Sequence, residues 1–438
     1  MHKKRRLNRR RERIMLLPGS DRQGLAVPDA PAFDAACDDP FARLFGAAPA
    51  LARAIGNDPR ILDEAADRAL PATASSGDYL HAWPDICRRG RHRIAARLLL
   101  GDLNAAQAAR ACSDLADAAL ADIMRICAAD FAAAHGRVRK GRHAVVAIGR
   151  LGARELTFNS DLDLLLLYDY HERAAMSDGP QPLPACQYYV RLAQRLIAAL
   201  SSNFGEGPLF AVDFRLRPWG RKGPIATRIA SLRDYFATEA WTFEAMALTR
   251  ARVVTASPGF DAEVEAALRA AIGAVVLRAD IRQDAAAMRR MVQREKASRR
   301  VWDIKCVAGG LMDIDFVVHA LAIERVAAFD GVPMYEMTAT IRTLCAVGAL
   351  ARADAAVLTA ALALYQTAIQ HLRIALPQPC NARAMPDAFA AILARACGCA
   401  DIGKLERRLR AAQRAVRQVF ETILGKSRPQ PSVRRRAA

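Results

Sequence analysis

The sequence has few aromatic residues, no C-x-x-C pair and no internal repeat. Phe, Tyr and Trp make up 6% of the 438 residues, whereas hydrophobic residues as a whole make up 53%. A chain rich in Ala and Leu but poor in aromatic residues favours helical packing over a sandwich or barrel. With 25% charged residues the composition is globular, which excludes collagen-like, mucin-like and low-complexity classes.

The cysteines and apolar runs lack the patterns that are typical of zinc-binding, secreted and membrane-spanning proteins. The ten cysteines are scattered, and the closest pair, Cys397 and Cys399, has no partnering Cys/His cluster at zinc spacing. This predicts free thiols in a reducing compartment, and hence the cytoplasm. No apolar stretch of 7–15 residues follows the basic start and no run of about 18 apolar residues occurs, so we expect no signal peptide and no transmembrane helix.

Positive charge is concentrated at the two ends of the chain. Lys and Arg number 64 against 45 Asp and Glu, a formal net charge of +19. Residues 1–14 hold eight basic residues and one acid, and residues 426–438 hold five basic residues and no acid. Such arms can bind nucleic acid or anionic lipid, but charge blocks are more often solvated tails, so nucleic acid is not the expected partner.

Hydrophobic periodicity divides the chain into five segments. Residues 1–35 are a basic tail with a Pro- and Gly-containing linker, and residues 426–438 are a second basic tail. Residues 36–140 and 259–425 have the 3- and 4-residue apolar spacing of helices, with Ser113 as a predicted N-cap. Between them, residues 141–258 combine strand-like runs at 143–148, 162–168 and 209–216 with a helix at 185–200, which predicts a small α/β unit.

Two aspartates begin the second strand-like run. Asp161 and Asp163 are two residues apart, so on a strand their carboxylates point to the same face. Two like charges at this separation are costly unless a cation lies between them, and carboxylate oxygens suit Mg²⁺.

A third aspartate is followed by two arginines. On a strand, Asp213, Arg215 and Arg217 would share a face, which fits a metal beside phosphate oxygens. Gly149 and Gly152, ahead of a short predicted helix, would let the backbone closely approach a phosphate at the N-terminus of that helix. Together these residues predict metal-assisted phosphoryl or nucleotidyl transfer.

Four blocks, in order, give the sequence a recognisable family. The segment GRLGARELTFNSDLDLLLLYD (149–169) resembles the nucleotidyltransferase signature of glutamine-synthetase adenylyltransferase, the bifunctional enzyme that adenylylates and deadenylylates glutamine synthetase. The resemblance continues through VDFRLRP (212–218), EAWTFEAMALTRARVV (239–254) and WDIKCVAGGLMDIDF (302–316). It implies a mostly helical α+β fold, with a polymerase-β-like nucleotidyltransferase core between helical bundles.

The resemblance also assigns roles to individual residues. It implies that Asp161, Asp163 and Asp213 bind Mg²⁺ and carry the catalysis with ATP as substrate. The residues implied on the nucleotide and phosphate side are Gly149, Gly152, Ser160, Arg215, Arg217 and Lys305. Arg250 and Arg252 are further candidates for phosphate or partner contacts, and their simpler roles are capping a strand or pairing with Glu244. Asp313 and Asp315 are candidates for a place at the site, and their simpler role is capping the N-terminus of a helix.

Two positions and the architecture depart from the family pattern. The family usually has Glu where Asp315 stands and Gln where His319 stands, and we expect His319 to be a packed or surface residue. Members of the family contain two similar halves, whereas this sequence contains one signature. The residues of this signature are more similar to those of the AMP-adding, C-terminal half. A separate second half is therefore a candidate partner.

The resemblance implies transfer of AMP from ATP to a tyrosine of glutamine synthetase, which regulates nitrogen assimilation. One alternative is the deadenylylating half, which uses the same geometry. A second is a non-catalytic half-copy that binds glutamine synthetase or the signalling protein PII. A third, uridylylation of PII, is disfavoured because the sequence has no His-Asp dipeptide.

Overall fold

The computed structural model describes residues 44–63 except 45, and 76–425 except 174, 203–208, 297, 331 and 376–384. The predicted segment 1–35 and basic tail 426–438 lie outside the described residues. The elements before the sheet are α1 (Pro49–Asn57), a 3₁₀ turn (Pro59–Leu62), α2 (Ser76–Leu99) and α3 (Ala105–His135).

Helix α3 is continuous through residues 104–109 and 113–134, which their apolar spacing predicts as two separate helices. It begins at Asn104, whose side chain accepts from the Gln107 amide while Gln107 accepts from the Asn104 amide, both at 2.9 Å. The predicted N-cap at Ser113 is wrong, because Ser113 is buried inside the helix and its hydroxyl donates to the Ala109 carbonyl at 2.8 Å. Hydrogen bonding back to the preceding turn is an alternative to capping that local sequence does not distinguish.

The sheet has five strands with mixed directions. Its elements in chain order are β1 (Arg142–Ala147), α4 (Gly149–Gly152), β2 (Leu162–Asp169), α5 (Ala185–Ser201), β3 (Val212–Asp213), β4 (Ala226–Arg228), α6 (Ile229–Thr238), α7 (Thr242–Leu248) and β5 (Arg252–Ala256). The order is β3-β2-β1-β5, and β4 also pairs with β2. Strand β1 is antiparallel to β2 and β5, whereas β3 and β4 are parallel to β2.

The remaining helices follow the sheet. They are α8 (Asp261–Val276), α9 (Ile281–Glu295), α10 (Leu311–Glu324), α11 (Met337–Ala346), α12 (Arg352–Ala375), α13 (Asp387–Ala396) and α14 (Ile402–Ile423), with a 3₁₀ turn at Val326–Phe329. The helices predicted from apolar spacing at 262–271, 281–297, 311–328, 337–347, 351–374 and 405–424 are present with ends that differ by up to five residues, whereas α13 was not predicted.

Both faces of the sheet are buried, which explains why β1 and β2 are continuous apolar runs. Val145 and Ala147 pack with α3 and α5, while Ala144 and Val146 pack into the larger core that also contains α8 to α14. The predicted mostly helical α+β class is confirmed. The hydrophobic cores cross residues 140 and 258, and the domain boundaries at these positions stay predictions.

Helix α12 has an unusually apolar composition. Among the described residues it is the helix long and apolar enough to cross a membrane by composition alone. Its side chains at Leu358, Tyr365 and Leu372 are buried against the rest of the chain, as in the central helix of a bundle. All eight cysteines in the described part of the chain are free thiols, as the sequence predicts.

Candidate active site

Pairing between β2 and β3 brings the predicted aspartates together. The two strands are parallel, and their register places Asp213 opposite Asp163. Asp161 immediately precedes β2 and is exposed to solvent, whereas Asp163 is half-buried. We call these three side chains the acidic corner.

The pKa of Asp163 is affected by the other two carboxylates. Its pKa is raised to about 6, first by burial and then by the negative charges of Asp213 and Asp161. Lys305 and Arg215 act in the opposite direction but do not outweigh these effects. Asp213 and Asp161 are therefore close enough to Asp163 to disfavour its ionisation.

Asp213 already has a cationic partner. Its Oδ1 accepts from the Arg215 amide at 2.7 Å and its Oδ2 accepts from the Arg215 Nε at 2.6 Å, which holds the pKa of Asp213 below its ordinary value. The Arg215 side chain is otherwise exposed, at 63% of its accessible surface. Its guanidinium lies where a cation bound to Asp213 would be.

The predicted strand over residues 209–216 is largely wrong. Strand β3 contains only Val212 and Asp213, and the chain then turns. Asp213, Arg215 and Arg217 consequently do not share a strand face. The Arg217 guanidinium donates to the carbonyls of Phe214 at 2.6 Å and Gly223 at 3.1 Å, so it ties the turn together.

The acidic corner fits a divalent cation by charge and donor chemistry. Carboxylate oxygens are hard ligands suited to Mg²⁺, and Asp161, Asp163 and Asp213 would supply them. Among the described residues, however, no three Asp, Glu, His or Cys side chains are arranged to hold a metal ion together. Asp213 would have to turn from Arg215 towards Asp163 to complete such a set.

The structure gives Gly149, Gly152 and Ser160 local roles. Gly149 has φ +58°, and a β-carbon there would lie 2.3 Å from the Asp163 Oδ2; one at Gly152 would lie 1.9 Å from the Arg250 carbonyl oxygen. The Ser160 hydroxyl lies 2.7 Å from the Thr157 hydroxyl and accepts from the Thr157 amide at 3.0 Å. Contact of these residues with a phosphate stays a prediction.

Gly149→Ala is expected to displace the Asp163 carboxylate, because the new methyl group needs the same space. The left-handed backbone adds strain of about 1 kcal/mol. We expect a loss of about 1–2 kcal/mol in the free energy of unfolding, measured in urea, and a fall of about 100-fold in any nucleotidyl transfer that depends on Asp163. In the control Gly273→Ala, where nothing lies within 4 Å, stability should rise slightly. Unchanged activity in Gly149→Ala would show that the carboxylate position does not matter.

Beside the acidic corner lies an ionic cluster of Glu155, Arg250 and Asp315, of which the sequence analysis missed Glu155. The Arg250 guanidinium donates to Glu155 at 2.7 Å and lies 3.7 Å from Asp315, while Gln366 of α12 donates to the other Glu155 oxygen at 2.8 Å. Glu155 and Arg250 are 95 positions apart, so only their presence in the GRLGARE and LTRARVV blocks was a signal. The cluster links the sheet to the helical bundle.

The predicted pairing of Arg250 or Arg252 with Glu244 is wrong. Glu244 accepts from the Tyr235 hydroxyl at 2.8 Å and from the Trp241 amide at 2.9 Å. Arg252 pairs with Asp117 of α3 at 2.9 Å and donates to backbone carbonyls of α4. Both arginines therefore hold elements together around the short helix that carries Gly149.

The other candidates are divided between structural and site positions. Asp313 is fully buried in an ion pair with Arg289, and its other oxygen accepts from the Gly309 amide at 2.7 Å. His319 is packed as expected: its Nδ1 lies 2.7 Å from the Thr249 hydroxyl, and burial lowers its pKa to about 3. Lys305 is close enough to Asp163 to lower the pKa of that carboxyl.

Comparison with known proteins identifies the family. The family model of glutamate-ammonia ligase adenylyltransferase matches residues 39–267, which include the whole sheet and the acidic corner. The chain belongs to this family. A second model, of GlnD PII-uridylyltransferase, matches residues 282–424 in the helical part.

Curated relatives in this family are similar over most of the chain. A Bradyrhizobium protein is 37% identical over 401 residues, covering 87% of this chain. A Mesorhizobium japonicum protein is 37% identical over 407 residues, covering 89%, and one from Rhodopseudomonas palustris is 35% identical over 402 residues, covering 88%. All three are bifunctional glutamine synthetase adenylyltransferase/adenylyl-removing enzymes, and the chain spans 41% of the length of each.

Proposed function

We propose that the chain is a Mg²⁺-dependent nucleotidyltransferase of the cytoplasm that transfers AMP from ATP to a tyrosine of glutamine synthetase. The observation that supports this most is the register of β2 with β3, which gathers Asp161, Asp163 and Asp213 in a chain of this family. The relatives are named for the addition and removal of AMP on glutamine synthetase.

In the proposed reaction the tyrosine oxygen forms a bond to the α-phosphorus of ATP, and the bond from that phosphorus to pyrophosphate breaks. Asp161, Asp163 and Asp213 would hold Mg²⁺, which supplies charge neutralisation at the phosphates. Asp213 lies next to the reacting hydroxyl in this arrangement and can accept its proton. Arg215, released from Asp213, is long and exposed enough to donate to phosphate oxygens.

Removal of AMP by phosphate needs the same carboxylates, since phosphate then takes the place of pyrophosphate. The chain spans 41% of relatives that are named for both activities. We propose AMP addition because the amino-acid sequences of the 149–169 and 302–316 blocks are more similar to the AMP-adding half. PII and a separately encoded second half are proposed as regulatory partners.

The proposal is tested by incubating the purified chain with glutamine synthetase, Mg²⁺ and α-³²P-labelled ATP. We expect label on a tyrosine of glutamine synthetase, and release of pyrophosphate in equal amount. A parallel reaction with adenylylated glutamine synthetase and phosphate should give no ADP. ADP release without labelling would assign the removal reaction instead, and stable binding without either product would support a non-catalytic half-copy.

A further inference from the structure

Three buried polar atoms lie where the segment between α7 and β5 packs against α10. They are the Nε of Arg250, the Oδ1 of Asp315 and the Nε2 of His319, and none of them has a hydrogen-bond partner among the described residues. Asp315 and His319 are four positions apart on α10, so they lie on one face of the helix. Buried polar atoms in folded proteins are nearly always hydrogen-bonded, and these three therefore need a partner.

The contacts of the segment place the three atoms around one space. The Nδ1 of His319 lies 2.7 Å from the hydroxyl of Thr249, which directly precedes Arg250. The Nη2 of Arg250 lies 3.7 Å from the Asp315 Oδ1, which is too far for a hydrogen bond. Burial lowers the pKa of His319 to about 3, and the nearby charge of Arg250 contributes to this whereas that of Asp315 opposes it.

The hydroxyl of Thr249 determines which nitrogen of His319 carries the hydrogen. This hydroxyl has a single hydrogen, which it donates to the Met246 carbonyl at 2.7 Å. It can therefore only accept from His319, so Nδ1 is the protonated nitrogen. Because the lowered pKa keeps His319 neutral, its Nε2 has a lone pair and no hydrogen. The space thus contains one unpaired donor, the Arg250 Nε–H, and two unpaired acceptors.

Water is the ligand whose hydrogen bonds match this set. One water molecule can accept from the Arg250 Nε and donate one hydrogen each to the His319 Nε2 and the Asp315 Oδ1, and buried waters typically make about three such bonds. A metal cation cannot accept from Arg250, and an anion without hydrogens cannot donate to two acceptors. A direct bond from Arg250 to His319 would leave the Asp315 Oδ1 unpaired.

Arg250 connects this space to the acidic corner. Its guanidinium binds Glu155 at 2.7 Å, and its carbonyl oxygen lies only 1.9 Å from where a β-carbon of Gly152 would be. Burial works against the charge of Arg250, yet the nearby carboxylates, Asp163 among them, raise its pKa. A displacement of Arg250 would therefore move α4 and change the surroundings of the Asp163 carboxylate.

We propose that Asp315 and His319 hold one buried water molecule against the Arg250 Nε, and that this water positions the Arg250 guanidinium on Glu155. His319 is then a positioning residue, which acts on the acidic corner through Arg250. The water site stands on the geometry alone, whereas its effect on AMP transfer rests on the proposed function.

The water site is tested by ¹⁵N NMR of the full chain labelled at histidine and by a high-resolution crystal structure. The His319 signals, identified by their loss in His319→Gln, should show a hydrogen on Nδ1 and none on Nε2 at neutral pH. Electron density should place a water within hydrogen-bond distance of all three atoms. A hydrogen on Nε2, or a direct bond from the Arg250 Nε to the His319 Nε2, would overturn the proposal.

His319→Asn tests the positioning role, because it keeps a donor for Thr249 and removes the acceptor at Nε2. We expect the kcat of AMP transfer to fall about tenfold with the KM for ATP unchanged. His319→Gln, whose longer amide group can still accept, should restore most of the kcat. The matched control is His371→Asn, which replaces a buried histidine of α12 whose Nδ1 lies 2.8 Å from the Thr367 carbonyl, and its kcat should equal that of the wild type.

Thermal melting establishes that each variant is folded under the assay conditions. An equal kcat in the wild type and His319→Asn would overturn the positioning role. A wild type that transfers no AMP would refute the proposed function, and a crystal structure of His319→Asn would then decide the positioning role. In that structure the Arg250 guanidinium should have moved from Glu155, and an unmoved guanidinium would contradict the proposal.

Discussion

Asp163→Asn is expected to abolish nucleotidyl transfer and, at neutral pH, to stabilise the fold. The activity should fall about 1000-fold, because the substitution removes a carboxylate that the proposed mechanism uses to hold Mg²⁺. Label transfer from ATP to glutamine synthetase measures this loss.

The gain in stability follows from the pKa of Asp163. In the folded chain this pKa is about 6, above the value of 3.8 for a free aspartate. A carboxyl whose pKa is raised by folding favours the folded state below the lower value, and this contribution is lost as the pH rises to the higher one. Above pH 6 the charged Asp163 therefore costs about 1–3 kcal/mol, a range that allows for its partial exposure to solvent.

Urea unfolding of Asp163→Asn and wild type at several pH values tests this. The variant should be more stable at pH 8, and its advantage should shrink below pH 6 and vanish near pH 4. Asp234→Asn, an exposed aspartate on α6, serves as a control that should change neither activity nor the pH dependence. A variant that is inactive because it is unfolded, or one that keeps full activity, would contradict this account of the acidic corner.

Arg289→Met is expected to give the largest loss of stability, with no direct effect on the acidic corner. Arg289 and Asp313 are 1% and 0% exposed, and their Nε and Oδ1 atoms are 2.5 Å apart. Removing the guanidinium leaves Asp313 buried with the Gly309 amide and, at 3.3 Å, the more distant and partly exposed Arg417. Breaking such a pair costs about 3–5 kcal/mol in the free energy of unfolding.

A double variant separates the loss of the pair from the loss of packing. Arg289→Met combined with Asp313→Leu removes both charges, and part of the stability should return because no uncompensated carboxylate remains. The neighbouring Arg290 is exposed, so Arg290→Met should stay within about 0.5 kcal/mol of the wild type. A single variant as stable as the wild type would mean that the ion pair contributes nothing to the fold.

The elements that local pattern determines were predictable. The apolar runs at 143–148 and 162–168 are β1 and β2, because strands buried on both faces have continuous hydrophobic sequences. The helices after residue 258, except α13, follow from their 3- and 4-residue spacing. The family signature then placed Asp161, Asp163 and Asp213 near one another, and the register of β2 with β3 agrees.

What the sequence did not predict depends on contacts between distant segments. Apolar and polar residues alternate over 209–216, which predicted a full strand. Instead, the side chain and amide of Arg215 bind Asp213 and the chain turns there. Glu155 was not a candidate because nothing within its own segment indicates that Arg250 and Gln366 bind it.

Strand β3 is only two residues long, which affects how Asp213 is held in place. Two residues pair with β2, together with one bond from the Leu162 amide to the Ala211 carbonyl. Detaching this segment would break few backbone bonds, but Phe210 and Phe214 on either side of it are buried in the core with α3 and α5, so their packing would be lost as well. Asp213 is therefore held at the acidic corner mainly by the packing of its aromatic neighbours, whereas Asp163 lies on an inner strand of the sheet.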